Sequence, residues 1–156
     1  MGQSAVHMAD DTVLRGHVTL EYPFTRSTGP VVGAFLTGLR EGVIVGIRRA
    51  DGSVLVPPCE YDPETAEPLT EIVEVADTGV VTSWCWNGAP RERQPFTSPY
   101  AWALITLDGA ATPMLHAVRV DSPAAMQTGM RVRAKWRAER EGHISDIECF
   151  VPEDAS

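Results

Sequence analysis

The stretch YAWALITLDGAATPMLHAVRVDSPAAMQTGMRVRAKWRA, residues 100–138, decides the fold. It begins with two runs, 100–107 and 112–120, whose apolar and β-branched residues are typical of strands. Asp108-Gly109 lies between them, and this dipeptide favours the tight turn of a β-hairpin. The two runs are therefore predicted to pair as antiparallel strands.

A short helix and two further strands are predicted to follow this hairpin. Ser122 is a suitable helix N-cap, Pro123 suits the first helical position, and Gly129 ends the segment. Residues 130–138 and 143–150 have the alternation of strands and are joined by a polar turn.

One long bent strand is predicted before the hairpin, formed by residues 72–75 and 79–86. One of its faces carries Val80, Thr82, Trp84 and Trp86, and the other carries Val81, Ser83 and Cys85. Three strands, a short helix and two strands follow one another in an OB-fold, where the helix closes one end of the barrel. The prediction is a mainly β fold with a five-stranded OB-fold barrel over residues 71–153.

The residues before the barrel are predicted to form an extended arm, 1–28, followed by a helix and a hairpin, 29–70. In the run VVGAFLTGLREG, residues 31–42, Gly42 ends a helix whose apolar side chains recur at helical spacing. These side chains are Val32, Phe35, Leu36 and Leu39. Residues 43–47 and 54–56 flank an Asp-Gly turn and are predicted to form the hairpin.

Length and charge limit the classes of function. The chain has 156 residues, 44% of them hydrophobic, which suffices for one full core and a smaller appended element. Its net charge of -8 disfavours a protein that binds nucleic acid over its whole surface. No run of apolar residues is long enough to span a membrane, and the N-terminus lacks the pattern of a secretory signal. A cytoplasmic location without a membrane partner is therefore expected.

No catalytic or metal-binding motif is found. The cysteines form no Cys-x-x-Cys pair, and Cys85 and Cys149 are expected to be buried hydrophobic side chains. The histidines are scattered along the chain, and His116 is expected to be a core or rim residue of the barrel. We therefore predict no catalytic residue, no bound metal and no cofactor for this chain.

The clearest signal for binding is a row of four cations in the strand 130–138. Alternation places Arg131, Arg133, Lys135 and Arg137 on one face. Two interpretations remain open: the row is the solvated outer face of a barrel strand, or it is an anion site. An anion site would suit the phosphates of coenzyme A, an acidic patch on a partner, or a nucleic-acid backbone.

Several stretches resemble the bacterial DUF35 family. They are FLTGLREGVIVGIRRADGSVLVPP, GVVTSW, SPYAWALITLDG, LHAV and GMRVRAKW. The resemblance implies an N-terminal helix and a rubredoxin-like zinc ribbon before an OB-fold. It also implies two Cys-x-x-Cys pairs in the ribbon, whose positions here hold Arg48 with Asp51 and Asp62 with Thr65. We therefore predict a degenerate ribbon without structural zinc, in which Arg48 pairs with Asp51 or Asp62 and holds the two turns together.

The resemblance also implies a function. Family members are accessory subunits that dock on thiolase-fold enzymes, including the lipid-transfer-protein type of aldolase that shortens steroid side chains. This chain is accordingly expected to form a hetero-oligomer, in the family a heterotetramer, with a thiolase-like aldolase or thiolase. It would stabilise the partner and help to form its acyl-CoA site without catalysing a reaction itself.

Six aromatic or apolar residues are predicted to contact such a partner. They are Tyr22, Phe24, Phe35, Leu39, Phe96 and Tyr100. The alternative for Phe35, Leu39 and the loop that contains Phe96 is local packing against the barrel. Two other functions also stay open: a stand-alone OB-fold module for single-stranded nucleic acid, and an independent acyl-CoA enzyme such as a thioesterase or hydratase.

Overall fold

The computed structural model describes residues 16, 18–23, 25 and 27–154, and contains one α-helix and eight strands within them. The elements are α1 (Gly29–Glu41), β1 (Ile44–Arg48), β2 (Val54–Leu55), β3 (Ile72–Val75), β4 (Thr78–Asn87), β5 (Tyr100–Leu107), β6 (Pro113–Val118), β7 (Arg131–Trp136) and β8 (Ile147–Pro152). Two single 3₁₀ turns, Pro123–Ala125 and Ile144–Asp146, precede β7 and β8.

The last five strands close into a barrel in the order β4-β5-β6-β8-β7, and β7 pairs back onto β4. The pair β6 and β8 is parallel, and the other four pairs are antiparallel. This mixed, closed five-stranded barrel confirms the predicted OB-fold. The predicted hairpin is also confirmed, since β5 and β6 pair antiparallel and Gly109 turns with a φ of 94°. The segment predicted as a helix over residues 123–129 is only the single turn Pro123–Ala125.

A three-stranded sheet in the order β2-β1-β3 lies beside the barrel. The hairpin of β1 and β2 was predicted, but the third strand corrects the sequence analysis. Residues 72–75 were expected to continue into 79–86 as one bent strand, whereas β3 pairs with β1 through the register Ile44↔Val75. The chain therefore leaves the small sheet at residues 76–77 and enters the barrel at β4.

Helix α1 packs on this sheet and joins the two parts. Its buried face carries Val31, Phe35, Gly38 and Leu39. Val32, predicted on the apolar face, is instead 37% exposed, because the buried stripe is rotated by one residue. Gly42 ends the helix in the left-handed conformation, and its N–H reaches the last carbonyls of the helix. Phe35 and Leu39 belong to the same apolar cluster as the barrel interior, so helix and barrel share one core.

A β-bulge in β4 changes the faces that were predicted for this strand. The register against β5 shifts between Val81 and Ser83, so the inward face passes from Val81 to Trp84 and Trp86. Val81 is fully buried, whereas Cys85 is exposed. The prediction of a buried Cys85 is therefore wrong, and the prediction of a buried Cys149 is confirmed.

Candidate partner-binding surfaces

The basic row of β7 faces outward, as the alternation predicted. Arg131, Arg133 and Lys135 are exposed and alternate with the buried Val132 and Ala134. Arg137 lies one residue beyond the strand and is also exposed. The structure thus keeps three of the four cations on one strand face and places the fourth at its end.

Carboxylates neutralise part of this row. Arg131 binds Asp108 through two nitrogen–oxygen contacts of 2.7 Å, and its Nε lies 2.6 Å from a carboxylate oxygen of Glu153. The hydrogen bonds from Arg131, and then from Thr78, lower the pKa of Asp108 to about 2. Lys135 forms an ion pair of 3.0 Å with Glu148. An anionic ligand would have to compete with these carboxylates, which favours the interpretation of a solvated strand face.

The two turns of the small sheet are joined by an arginine, but it is Arg49 and not the predicted Arg48. Arg49 donates from Nε and Nη2 to the two carboxylate oxygens of Asp62, at 2.7 and 3.1 Å. Arg48 instead binds Glu71 at 2.8 Å. The reason is alternation: successive side chains point to opposite sides, so only Arg49 faces the loop that contains Asp62.

Asp62 is the centre of this loop. Besides Arg49 it accepts the backbone N–H groups of Glu64 and Thr65, at 2.8 and 3.2 Å. Its pKa is lowered to about 2, chiefly by the hydrogen bond from Arg49 and then by the N–H of Glu64. Asp51 lies 3.5 Å from the same guanidinium.

This set of groups does not fit zinc. An arginine takes the position between the carboxylates, and zinc requires thiolate, imidazole or carboxylate donors without a competing fixed cation. Within the described residues no group of three or more His, Cys, Asp or Glu side chains is placed to hold a metal ion.

The predicted interface residues divide into exposed and buried ones. Tyr22 is 75% exposed, and Val18 and Leu20 are exposed to a similar extent. The arm therefore presents alternate apolar side chains to solvent. Phe24 lies outside the described residues. Phe35, Leu39 and Tyr100 are buried within the chain and are corrected to core residues, because side chains that pack inside the fold are not available to a partner.

Phe96 belongs to local packing as well. Its ring lies edge-on to Tyr100, with ring centroids 5.4 Å apart, and the guanidinium carbon of Arg119 lies 4.8 Å from the centre of its ring. The loop between β4 and β5 thus covers Tyr100 on the outside of the barrel. The alternative of local packing, left open from the sequence, describes this loop.

An exposed apolar surface that the sequence analysis missed lies on the outer face of β5 and β6. We call it the β5–β6 patch; it comprises Trp102, Leu104, Leu115 and Ile144, and it borders the buried Ala117. Leu104 lies opposite Leu115, and Trp102 lies opposite Ala117. A cleft of about 370 Å³ opens in the patch, and Arg93 and Arg137 border it. The signal was present in the sequence, because the predicted hairpin pairs these residues on its outer side.

Two buried polar side chains, His116 and Asp146, lie near this patch. His116 faces inward, where its ring lies edge-on to Phe150 with centroids 5.5 Å apart, and burial lowers its pKa. Burial opposes ionisation of Asp146, but N–H groups of His143, Glu141 and Gly142 bind its carboxylate and hold its pKa below the usual range. His116 is therefore the core residue that was expected.

Comparison with known proteins agrees with the barrel topology. Residues 72–137 match the family model of the C-terminal OB-fold domain of ChsH2. Over these residues the barrel is similar to that OB-fold domain. A chain in the solved structure described as the Ltp2-ChsH2(DUF35) aldolase is 24% identical to this chain, with a TM-score of 0.58. The likeness covers 81% of this chain and 98% of that one.

A second solved structure has a similar fold. A DUF35 protein of unknown function from Sulfolobus solfataricus is 21% identical, with a TM-score of 0.55 over 69% of this chain and 78% of that one. No curated protein matches the sequence. None of the described helices is long and apolar enough to cross a membrane.

Proposed function

We propose that this chain is a non-catalytic accessory subunit that docks on a thiolase-like partner. The observation that carries the proposal is the likeness to the ChsH2(DUF35) chain of an aldolase complex, which extends over nearly all of that chain and includes the helix and small sheet as well as the barrel. The match to the ChsH2 C-terminal domain supports the same proposal independently.

The proposed role is to stabilise the partner and to help form its acyl-CoA site. In this proposal the acyl-CoA is the substrate of the complex rather than a cofactor of this chain, and a steroid side chain is its acyl part. Arg131, Arg133, Lys135 and Arg137 were the candidates for the coenzyme phosphates. Since Arg131 and Lys135 form ion pairs with carboxylates of this chain, we assign these two residues to the barrel surface and not to coenzyme binding.

Among the described residues, the arrangement of the polar groups supports the proposal that this chain alone catalyses no reaction. A general base or nucleophile needs a partner within hydrogen-bond reach and access to a substrate. His116 is buried against Phe150, and burial raises the pKa of Cys149 to about 11, which disfavours its thiolate. Neither group is suited to acyl transfer.

Turnover of acyl-CoA by the partner tests this proposal. A thiolase-like protein from the same organism is expressed alone and together with this chain, and soluble yield and carbon–carbon cleavage of acyl-CoA are measured. We expect the partner to be inactive or insoluble alone and active with this chain, and the chain alone to show no turnover. Full activity of the partner alone, or turnover by this chain alone, would contradict the proposal.

A further inference from the structure

We propose that the partner docks on the β5–β6 patch, and that it inserts into the cleft an apolar side chain flanked by a carboxylate. This inference rests on the proposed function and identifies the surface and the chemistry of the contact. The arm and the helix, which the sequence favoured, are not required for it.

The apolar part of the patch is contiguous. Leu104 and Leu115 are direct neighbours across the β5–β6 ladder and are 37% and 60% exposed. Ile144 borders the cleft beside Leu115 and is also exposed. Single exposed apolar residues are normal on a protein surface, but adjoining ones indicate an interaction site.

The cleft has the dimensions of a receptacle for a large side chain. Trp102, Ala117 and Ile147 form its apolar wall, and its volume is about 370 Å³. A small-molecule site usually encloses most of its ligand, whereas this cleft is open and the apolar surface continues past it to Leu104. A wider apolar surface with a central pocket is typical of a protein interface.

The charges around the cleft define the partner further. Arg93 and Arg137 border it, and the carboxylate of Glu148, which also borders it, is already paired with Lys135 at 3.0 Å. The charged residues that line the cleft are thus two arginines and one glutamate, a net charge of +1 on a chain whose net charge is -8. A carboxylate beside the inserted side chain complements this charge and orients the partner.

Arg93 is held in place at the edge of the cleft. Its backbone has a φ of 71°, in the left-handed region that non-glycine residues rarely adopt. The side-chain oxygen of Gln94 accepts hydrogen bonds from Asn87 Nδ2 and from the N–H of Arg91, at 2.8 and 2.9 Å, and fixes the loop. A strained residue on a fixed loop often serves a functional contact, and here it presents a cation to the cleft.

Dissociation constants for the thiolase-like protein test the inference. We expect Leu115→Asp and Arg137→Glu each to raise the Kd about 30-fold, which is typical of residues at the centre of an interface. Arg137→Lys keeps the charge, and Val32→Asp alters an exposed apolar residue on α1, outside the patch, so each is expected to stay within about threefold of the unsubstituted protein. Circular dichroism checks that all four variants fold.

The outcomes separate this inference from the proposed function. If the unsubstituted chain binds the partner and both Leu115→Asp and Arg137→Glu bind equally well, the docking surface is wrong and the proposed function stands. If the unsubstituted chain binds no thiolase-like protein, the proposed function fails and the inference fails with it. Calorimetry with 4-phenylbutyrate tests whether the cleft is instead a small-molecule site. If this compound binds the unsubstituted chain, and Leu115→Asp abolishes that binding but leaves the affinity for the partner unchanged, the inference is overturned.

Discussion

Asp62 and Arg49 hold together two turns of the small sheet. The Asp62 carboxylate is buried, and it accepts two hydrogen bonds from Arg49 and two from the backbone of its own loop. Glu64 also reaches Arg49, at 3.1 Å, but its side chain is 74% exposed. The difference in burial means that Asp62 stabilises the turns, while Glu64 contributes little.

Replacing Asp62 by Asn is expected to lower the Tm by about 5 °C at pH 7, because the amide loses the negative charge and puts an NH2 donor in place of Oδ2, which accepts from Arg49 Nε. Glu64→Gln is the matched control, with an expected change near zero. Equal Tm values for Asp62→Asn and the unsubstituted protein would contradict the assignment of this ion pair.

The stabilisation by Asp62 is also expected to depend on pH. Its pKa is about 2, below the usual value of 3.8 for an aspartate, so the ionised form favours the folded state. The contribution is complete above the unfolded pKa and is lost as the pH falls through about 2. Thermal melts should therefore show the gap between the unsubstituted protein and Asp62→Asn narrowing below about pH 4; a gap that stays constant down to pH 2 would argue against it.

Two cysteines are expected to react very differently. In a Cys59→Ser background, Cys85 is exposed and should react at once with a thiol reagent. Cys149 is buried, which raises the pKa of its thiol to about 11, and it should react only after unfolding. Absorbance on adding Ellman's reagent, with and without denaturant, measures both. Similar rates for the two thiols in the native protein would show that β4 does not have the described bulge.

At this scale the sequence predicts residue types better than residue pairs. An arginine–carboxylate pair across the turns was predicted correctly in kind, but assigned to Arg48 instead of Arg49. The register of a short hairpin fixes which of two adjacent arginines faces the loop, and spacing counted along the chain does not resolve one residue.

At the scale of elements, β4 shows why regular alternation misleads. Thr82 and Ser83 lie at a bulge, and both of their side chains face outward. Trp84, the next residue, then faces the core. The alternation on either side of the bulge is regular, which is why the strand was predicted while its faces were not. The hairpin of β5 and β6 has no such interruption, but residues 108–112 connect its strands and Thr106 pairs with Pro113, so the Asp-Gly turn predicts the hairpin and not its register.

The strand β3 was misassigned for a different reason. Residues 72–75 and 79–86 are close in sequence and both have strand character, but their hydrogen bonds go to different sheets. Local sequence predicts that a segment is extended, whereas its pairing partner is set by tertiary contacts, here with β1.

Gly79 allows the start of β4 to pack closely against the backbone of β5. A Cβ at this position would meet the carbonyl oxygen of Thr106 and would lie 2.8 Å from Cα of Leu107, both backbone atoms of β5. Gly79→Ala is therefore expected to lower the free energy of unfolding by about 2–3 kcal/mol. Urea denaturation of Gly79→Ala is compared with Gly88→Ala, where a Cβ would meet only ordinary contacts. A loss no larger than that of Gly88→Ala would mean that β4 and β5 are less closely packed than described.

At the scale of the whole molecule, one core connects the helix, the small sheet and the barrel. Leu39 of α1, Val75 of β3 and Phe150 of β8 belong to a single apolar cluster. The order of strands was sufficient to predict the OB-fold, because few topologies place three strands, a short turn and two strands in that sequence. The surfaces were less predictable, since exposure depends on which elements cover a face.

The charge distribution also belongs to this scale. The net charge is -8, and the row of cations that could have suited nucleic acid is partly neutralised by Asp108, Glu148 and Glu153. Phosphate binding needs cations that are free to release counterions, so this arrangement disfavours the stand-alone nucleic-acid module. The positive charge at the β5–β6 patch is local and adjoins apolar surface, which suits a protein partner.

The mass of the purified complex tests the proposed function most directly. This chain and a thiolase-like protein from the same organism are expressed together and purified through a tag on the partner alone. The mass is then measured by size-exclusion chromatography with light scattering. We predict that the 17.0 kDa chain co-elutes with the partner as a stable hetero-oligomer, with the mass of a heterotetramer. Elution of the untagged chain by itself at its monomer mass, with the partner soluble and separate, would contradict the account.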